Sequence, residues 1–195
     1  YRLPFMEDSA VYVSLEFTPN PNTLKYSVNR ELLAKGAKNY VKKAEADEQS
    51  PLASRLLEIA GISGVMIGRN FVTVTKTEDG DWDLVHKSAS SLIEKHLGEK
   101  QPVFKEGALE QAPDAAAQSE VERKIREILD NEVRPAVAMD GGDISFEKYE
   151  DGVVYVYMQG SCSGCPSSTV TLKAGIEGML KRMVPEVTDV VRGIP

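Results

Sequence analysis

The chain has 195 residues, of which 42% are hydrophobic, and so it can form one large or two small globular domains. Its formal net charge is −7, which would repel a phosphate backbone, so no nucleic-acid partner is expected. No apolar run could span a membrane, no signal-peptide pattern is seen at the start, and two cysteines fit a reducing compartment.

The first half of the chain predicts a compact α+β module. In chain order the predicted elements are strands over 10–17 and 24–28, a helix over 51–61, strands over 64–68 and 71–76, and a helix over 82–97. Residues 29–50 are polar and predict no element. We therefore expect residues 1–97 to form a domain with a four-stranded sheet and two helices.

No pair of side chains in this half is spaced as a catalytic site, and we do not expect an enzyme. His86 and His96 both lie on the second predicted helix, ten residues apart, and so they do not share a turn. We expect both side chains to be exposed.

Between residues 98 and 118 the sequence becomes rich in Glu, Lys, Gln, Pro and Ala, which is typical of a linker, either flexible or partly helical. A second domain is predicted over 119–195. Its elements are a helix from a capping box at Ser119 to about Glu132 that Pro135 kinks or ends, strands over 144–149 and 153–159, a helix, and a strand over 187–192. This α-β-β-α-β order predicts one layer of helices on a small mixed sheet. The chain as a whole is predicted to be α+β, with two small sandwich-like domains.

A short acidic segment, Asp140-Gly141-Gly142-Asp143, precedes the first of these strands. Its two carboxylates could hold a cation, but glycines at these positions are typical of a tight turn. We predict the turn alone.

The two cysteines, Cys162 and Cys165, lie in the loop between a predicted strand and a predicted helix. Pro166 suits the first position of that helix, so Cys165 would lie at its N-terminus, where unpaired N–H groups favour a thiolate. Gly160 and Gly164 let the backbone come close to whatever the sulfurs bind. The loop is therefore predicted to present two thiolates.

Two thiolates are half of the ligands that a zinc site or an iron–sulfur cluster needs. Two copies of the loop, one from each of two subunits, would supply four sulfurs across a dimer interface. A single C-x-x-C is also consistent with a dithiol redox pair, half of a zinc site, or two idle thiols. Spacing alone leaves all of these open.

Several stretches along nearly the whole chain resemble the Nfu family of NifU-type proteins. In the second domain they are Glu132 to Pro135, Asp140 to Ile144, Met158 to Ser168, Gly175 to Glu177 and Val184 to Val187. In the first half they are Thr18 to Lys25, Ser50 to Ala53 and Phe71 to Lys76.

The resemblance implies an iron–sulfur cluster scaffold or carrier. Two chains would hold one cluster, [4Fe–4S] or else [2Fe–2S], through Cys162 and Cys165 of each, and pass it to apo-proteins after upstream assembly proteins have loaded it. The first domain would serve partner contact. A dithiol oxidoreductase and a zinc-bridged dimer are the alternatives. We expect a bacterial cytoplasm as the location, or else a mitochondrial matrix.

Overall fold

A computed structural model describes residues 10–34, 36–109, 119–162 and 166–192, with residues 166–172 described by their backbone only. These residues form two small sheets, each with its own helices and its own core. The predicted α+β class is therefore confirmed. No helix within the described ranges is both long enough and apolar enough to cross a membrane.

The first half forms one antiparallel sheet of five strands, in the order β1-β2-β5-β4-β3. Its elements are β1 (Val13–Phe17), β2 (Thr23–Val28), β3 (Lys38–Tyr40), α1 (Lys43–Gln49), α2 (Pro51–Leu57), β4 (Ile62–Ile67), β5 (Phe71–Lys76) and α3 (Trp82–Gly98). The prediction of four strands and two helices is wrong, because β3 and α1 add one of each. Strand β3 has only three residues and α1 buries only Ala46, so neither produces an apolar period in the sequence.

The three helices cover one face of this sheet and enclose the first core. Its largest buried side chains include Tyr26, Leu52, Leu56, Ile67 and Ile93. Helix α2 begins as predicted, since the Ser50 hydroxyl accepts a hydrogen bond from the Ala53 N–H at 3.1 Å and Pro51 takes the first position.

Residues 99–109, which composition assigns to the linker, lie on this first domain. Val103 and Phe104 pack against its core, and the Ser50 hydroxyl donates to the Val103 carbonyl at 2.6 Å. The Lys105 N–H donates to the Gln49 carbonyl at 2.8 Å. These contacts attach residues 99–109 to the first domain, so this part of the predicted linker is not a free chain.

The two histidines are not exposed, so that prediction is wrong. His96 is 1% exposed, with Nε2 2.9 Å from the Pro102 carbonyl oxygen and Nδ1 3.0 Å from Arg55 Nη1. His86 is half-buried and stacks on the Tyr26 ring, with ring centroids 5.9 Å apart. Both side chains have packing roles that a ten-residue spacing does not reveal.

The second half forms a three-stranded mixed sheet, as predicted, in the order β6-β7-β8 with β6 and β7 antiparallel and β7 and β8 parallel. Its elements are α4 (Glu120–Ile128), a π-helical turn (Leu129–Val133), α5 (Arg134–Met139), β6 (Gly142–Glu150), β7 (Val153–Gly160), α6 (Pro166–Met183) and β8 (Asp189–Arg192). The hairpin turns at Asp151 and Gly152, which both have positive φ, as a tight two-residue hairpin requires.

Helix formation does not stop at Pro135. The chain passes this residue through the π-helical turn Leu129–Val133 and continues as α5, with Pro135 in the first turn of that helix. The π-helical turn widens the helix just before the proline, where a regular α-helix would bring the proline ring against the carbonyl of residue i−4. Instead of the predicted kink or end at Pro135, the helix changes type just before this residue, from α to π and back to α.

Candidate functional site

Cys162 lies two residues beyond the end of β7, and α6 begins at Pro166. The prediction of a strand-to-helix loop with Pro166 as the first helical residue is therefore confirmed. The Cys162 side chain is buried, with 6% of the residue exposed. Cys165, the second predicted ligand, lies outside the described residues.

The turn Asp140-Gly141-Gly142-Asp143 holds the start of the cysteine loop in place. The Ser161 N–H donates to the Gly141 carbonyl at 3.2 Å, and the Ser161 hydroxyl donates to the Asp140 carbonyl at 2.5 Å. Gly142 is opposite Gly160 in the β6–β7 pair. The residue before Cys162 is thus fixed by both its backbone and its side chain.

Two glycines make room for the Cys162 sulfur and for this turn. A Cβ on Gly142 would collide with the Cys162 Sγ and would lie 3.1 Å from the Val137 side chain. Gly160 has a φ of +66°, and a Cβ there would lie 2.6 Å from the Gly141 carbonyl oxygen. A side chain at either position would displace the backbone or the sulfur.

Asp143, the last residue of the turn, is bound by Arg134. The guanidinium donates from Nε to Oδ1 at 2.9 Å and from Nη2 to Oδ2 at 3.0 Å, and a third donor reaches Asp130 at 3.1 Å. Burial raises the pKa of the Asp143 carboxyl, and the guanidinium opposes that rise. Both oxygens of the Asp143 carboxylate therefore accept hydrogen bonds from Arg134, and this ion pair stabilises the turn.

Across the part of the chain that the structure describes, no group of three or more His, Cys, Asp or Glu side chains is placed to hold a metal ion. The predicted turn itself is present at Asp140 and Gly141, directly before β6. Of the two cysteines that the sequence predicts as ligands, Cys162 is the one within the described residues, and its role as a ligand stays a prediction.

A cleft of about 390 Å³ opens beside Cys162. Its apolar lining comprises Pro19, Val133, Ala136, Val137, Ile176 and Met179. An apolar lining of this kind limits the access of water to a metal-binding sulfur. The cleft thus places the thiol beside a mostly apolar wall, with Glu132, Asp140 and Ser161 as its polar members.

Pro19 belongs to the first domain, and sequence reasoning did not place it at this site. The prolines and asparagines between β1 and β2 are typical of a turn, and no local pattern relates them to a cysteine 143 residues later. Only the packing of the two domains brings it to the cleft.

Two family descriptions match this chain in order. "Scaffold protein Nfu/NifU N terminal" matches residues 13–100, and "NifU-like domain" matches residues 125–191. Among curated relatives, the mitochondrial NFU1 iron-sulfur cluster scaffold homolog of Drosophila erecta is 38% identical over 194 residues, covering 97% of this chain and 67% of the relative. The Drosophila grimshawi homolog is 39% identical over 184 residues, covering 92% of this chain and 60% of the relative.

Solved structures give weaker matches. The NifU-like protein of Saccharomyces cerevisiae is 20% identical with a TM-score of 0.45, covering 54% of this chain and 94% of that one. Protein SAV1430 of Staphylococcus aureus is 22% identical with a TM-score of 0.39, covering 44% of this chain and 99% of that one. TM-scores this low add nothing to the assignment.

The family is shown by the curated relatives and by the order of the two matched domains. Identity of 38% extends over 97% of the chain and 67% of the relative. The chain spans 60–67% of the length of the two fly relatives. It belongs to the Nfu family of NifU-type scaffold proteins.

Proposed function

We propose that this chain carries an iron–sulfur cluster, held through the thiolates of Cys162 and Cys165, and passes it to apo-proteins without catalysing a reaction. The family assignment supports a scaffold role, since the matched fly relatives are named iron-sulfur cluster scaffold homologs. The proposal that these two cysteines are the ligands rests on the residues themselves.

The observation that carries the proposal is the position of Cys162. Its sulfur lies at the end of a strand, against a glycine that has no side chain to obstruct it, beside a mostly apolar cleft. Thiolates are the ligands that iron–sulfur clusters prefer, and a hydrophobic shell controls solvent access to the metal.

We propose that the cluster is shared between two chains. One chain offers two thiolates, whereas a [2Fe–2S] or a [4Fe–4S] cluster is commonly held by four. A homodimer supplies the missing pair, and we favour [4Fe–4S] on the family resemblance.

A site divided between two subunits suits a carrier, because it can open without unfolding either domain. We propose that transfer proceeds by ligand exchange, in which each thiolate of the recipient binds iron as one carrier thiolate leaves. Upstream assembly proteins would load the cluster. Residues 119–195 would form the cluster domain, residues 1–97 would contact partners, and residues 98–118 would connect them.

The test is anaerobic reconstitution with iron and sulfide, followed by native mass measurement. We expect a coloured dimer with one cluster, and about four iron and four sulfide per two chains for a [4Fe–4S] centre held by four cysteine thiolates. The variants Cys162→Ala and Cys165→Ala should each lose the cluster, whereas Ser163→Ala keeps both thiols and should load like wild type. A single chain that holds a full cluster would contradict the shared site.

The same preparation separates the alternatives. Insulin reduction by the metal-free protein, without cluster uptake, would indicate a dithiol oxidoreductase. Bound zinc without sulfide in protein isolated anaerobically would indicate a zinc-bridged dimer.

We propose a reducing compartment as the location, either a bacterial cytoplasm or a mitochondrial matrix. Both keep thiols available as ligands. The fly relatives are named mitochondrial, which favours the matrix for a protein of this family in an animal.

A further inference from the structure

The face of the first sheet that the helices leave uncovered lies against the turn that positions Cys162. Lys25 on β2 donates from Nζ to the carbonyls of Ala138 and Met139 at 3.0 and 3.2 Å. Thr73 on β5 donates from its hydroxyl to the Gly141 carbonyl at 3.0 Å. Gly141 is also the acceptor for the Ser161 N–H, so the two domains share one carbonyl at this turn.

The Lys25 side chain is well buried for a lysine, a residue that is mostly exposed in folded proteins. Its side chain is 11% exposed, and its ammonium lies 4.8 Å from the centre of the Phe71 ring. The two carbonyls that it binds belong to Ala138 and Met139, the last residues of α5. The Ala138 carbonyl also accepts the Gly141 N–H at 3.0 Å, so Lys25 adds a hydrogen bond from the first domain to an end of the helix that is already capped.

Two further contacts bring the first domain directly onto the site. Pro19 lines the cleft beside Cys162. Met66 on β4 packs against Gly160, so closely that a Cβ there would lie 2.8 Å from the Met66 methyl carbon. The first domain thus touches both the cleft and the strand end that leads to Cys162.

The two domains keep separate cores, and no described residue belongs to both buried clusters; Cys162 is part of the second. The named contacts between the domains are the hydrogen bonds from Lys25 and Thr73 and the apolar contacts of Met66 and Pro19. A partly polar interface of this kind within one chain allows relative domain motion. Separation therefore requires no unfolding of either domain.

We propose that the first domain is a reversible cover for Cys162. When it is docked through Lys25, Thr73, Met66 and Pro19, it restricts access to the sulfur and fixes the turn at residues 140–143. When it separates, the cleft loses the wall that Pro19 provides and becomes wide enough to admit a metal or a second copy of the chain. Opening matters for cluster loading only if Cys162 is a metal ligand, as proposed above, but the cover itself can be tested without metal.

The test measures alkylation of Cys162 by iodoacetamide in the reduced, metal-free, full-length protein, with peptide mapping to separate Cys162 from Cys165. Two variants weaken the contacts: Lys25→Glu, and Lys25→Gln combined with Thr73→Val. Lys25 and Thr73 are register partners outside the first core, so the double variant removes the polar contacts at one point of the sheet. Lys87→Gln, an exposed lysine on α3, is the matched control.

We expect both contact variants to alkylate Cys162 faster than wild type by about fivefold or more, because opening controls access to a buried group. Lys87→Gln should match wild type, and small-angle scattering should show a larger radius for the contact variants. Trp82 fluorescence reports on the first domain and shows whether each variant is folded. If one contact variant does not fold, the alkylation rate of the other tests the proposal. Unchanged alkylation in the folded contact variants would overturn the proposal, whether or not the domains separate.

Failure of this test is distinct from failure of the proposed function. A chain that never binds a cluster can still protect Cys162 from alkylation, and a chain that binds one can leave Cys162 accessible at all times.

Discussion

His96 shows how burial determines the charge of a side chain that the sequence leaves ambiguous. Burial lowers the pKa of His96, and the nearby Arg55 guanidinium lowers it further, although the hydrogen bond to the Pro102 carbonyl opposes both effects. The neutral ring is consistent with both contacts, since one ring nitrogen can donate to Pro102 and the other can accept from Arg55. His96 therefore joins α2, α3 and the segment after α3 as an uncharged group.

We predict that protonation of this ring destabilises the first domain. The folded pKa lies below the ordinary value, so the unfolded chain binds the proton more readily as pH falls through about 6.5. The contribution of neutral His96 to the free energy of unfolding should be fully present above that pH and should decline below it. Urea unfolding followed by Trp82 fluorescence at pH 7.5 and 5.5 would measure the difference, and His96→Gln should reduce it. An equal pH dependence in the variant would contradict this role.

The Asp143–Arg134 pair gives a second prediction at this scale. Asp143→Asn should destabilise the second domain by about 2–3 kcal/mol, because the largely buried Arg134 would lose one of its two carboxylate partners and keep only Asp130. Chemical unfolding followed by circular dichroism would measure this loss. Glu150→Gln, which removes an exposed partner of Lys148, is the control and should change stability by only about 0–1 kcal/mol. Equal effects of the two changes would contradict the importance of burial.

Strands β6 and β7 are the elements that set the geometry of the cysteine loop. Their pairing ends at Gly142 and Gly160, where the backbones come close enough to bring the Cys162 sulfur against a glycine. The hairpin is thus a support for one end of the loop, as well as part of the core.

We predict that Gly142→Ala impairs metal binding while the fold is retained. The new methyl group would displace the Cys162 sulfur and press on Val137, so iron and sulfide uptake should fall although far-ultraviolet circular dichroism changes little. Gly178→Ala on α6 is the control, since a Cβ there meets no other atom and the helix accepts alanine. Full cluster uptake by Gly142→Ala would show that the sulfur tolerates displacement.

The sequence predicts elements well where apolar periodicity is strong and poorly where contacts are distant. Strand β5, helix α3 and the Asp151-Gly152 hairpin follow from local patterns, and so does the position of Pro166. Strand β3 and helix α1 could not be predicted, because a short edge strand and a helix with one buried alanine leave no period. For the site, the sequence singled out Cys162 and Cys165 as candidate ligands, which stays a prediction. It could not identify Pro19 or Lys25 as neighbours, since those contacts depend on the packing of two domains.

At the scale of the whole molecule, two cores are joined by a polar interface. The first core is enclosed by the five-stranded sheet and its helices, the second by the three-stranded sheet and its helices. The single tryptophan, Trp82, belongs to the first, so its fluorescence is a probe of one domain only.

We predict that unfolding is not a single two-state transition. Trp82 fluorescence should follow the first domain, whereas far-ultraviolet circular dichroism should follow both, and the two denaturation curves should not coincide. The separation between the curves should increase in Lys25→Gln with Thr73→Val, because loss of the interface removes coupling. Coincident curves in both proteins would indicate that the cores unfold together for a reason other than these contacts.

The π-helical turn at Leu129–Val133 has a consequence for the spacing of the chain. A π turn fits one residue more than an α turn into a full rotation, so Arg134 keeps about the direction that it would have in an α-helix one residue shorter. Deleting one residue there would therefore leave Arg134 facing Asp143, but it would place Pro135 inside a continuous α-helix, where the proline ring clashes with the carbonyl four residues earlier. The extra residue thus lets the helical chain pass a proline without turning the arginine away from its carboxylate.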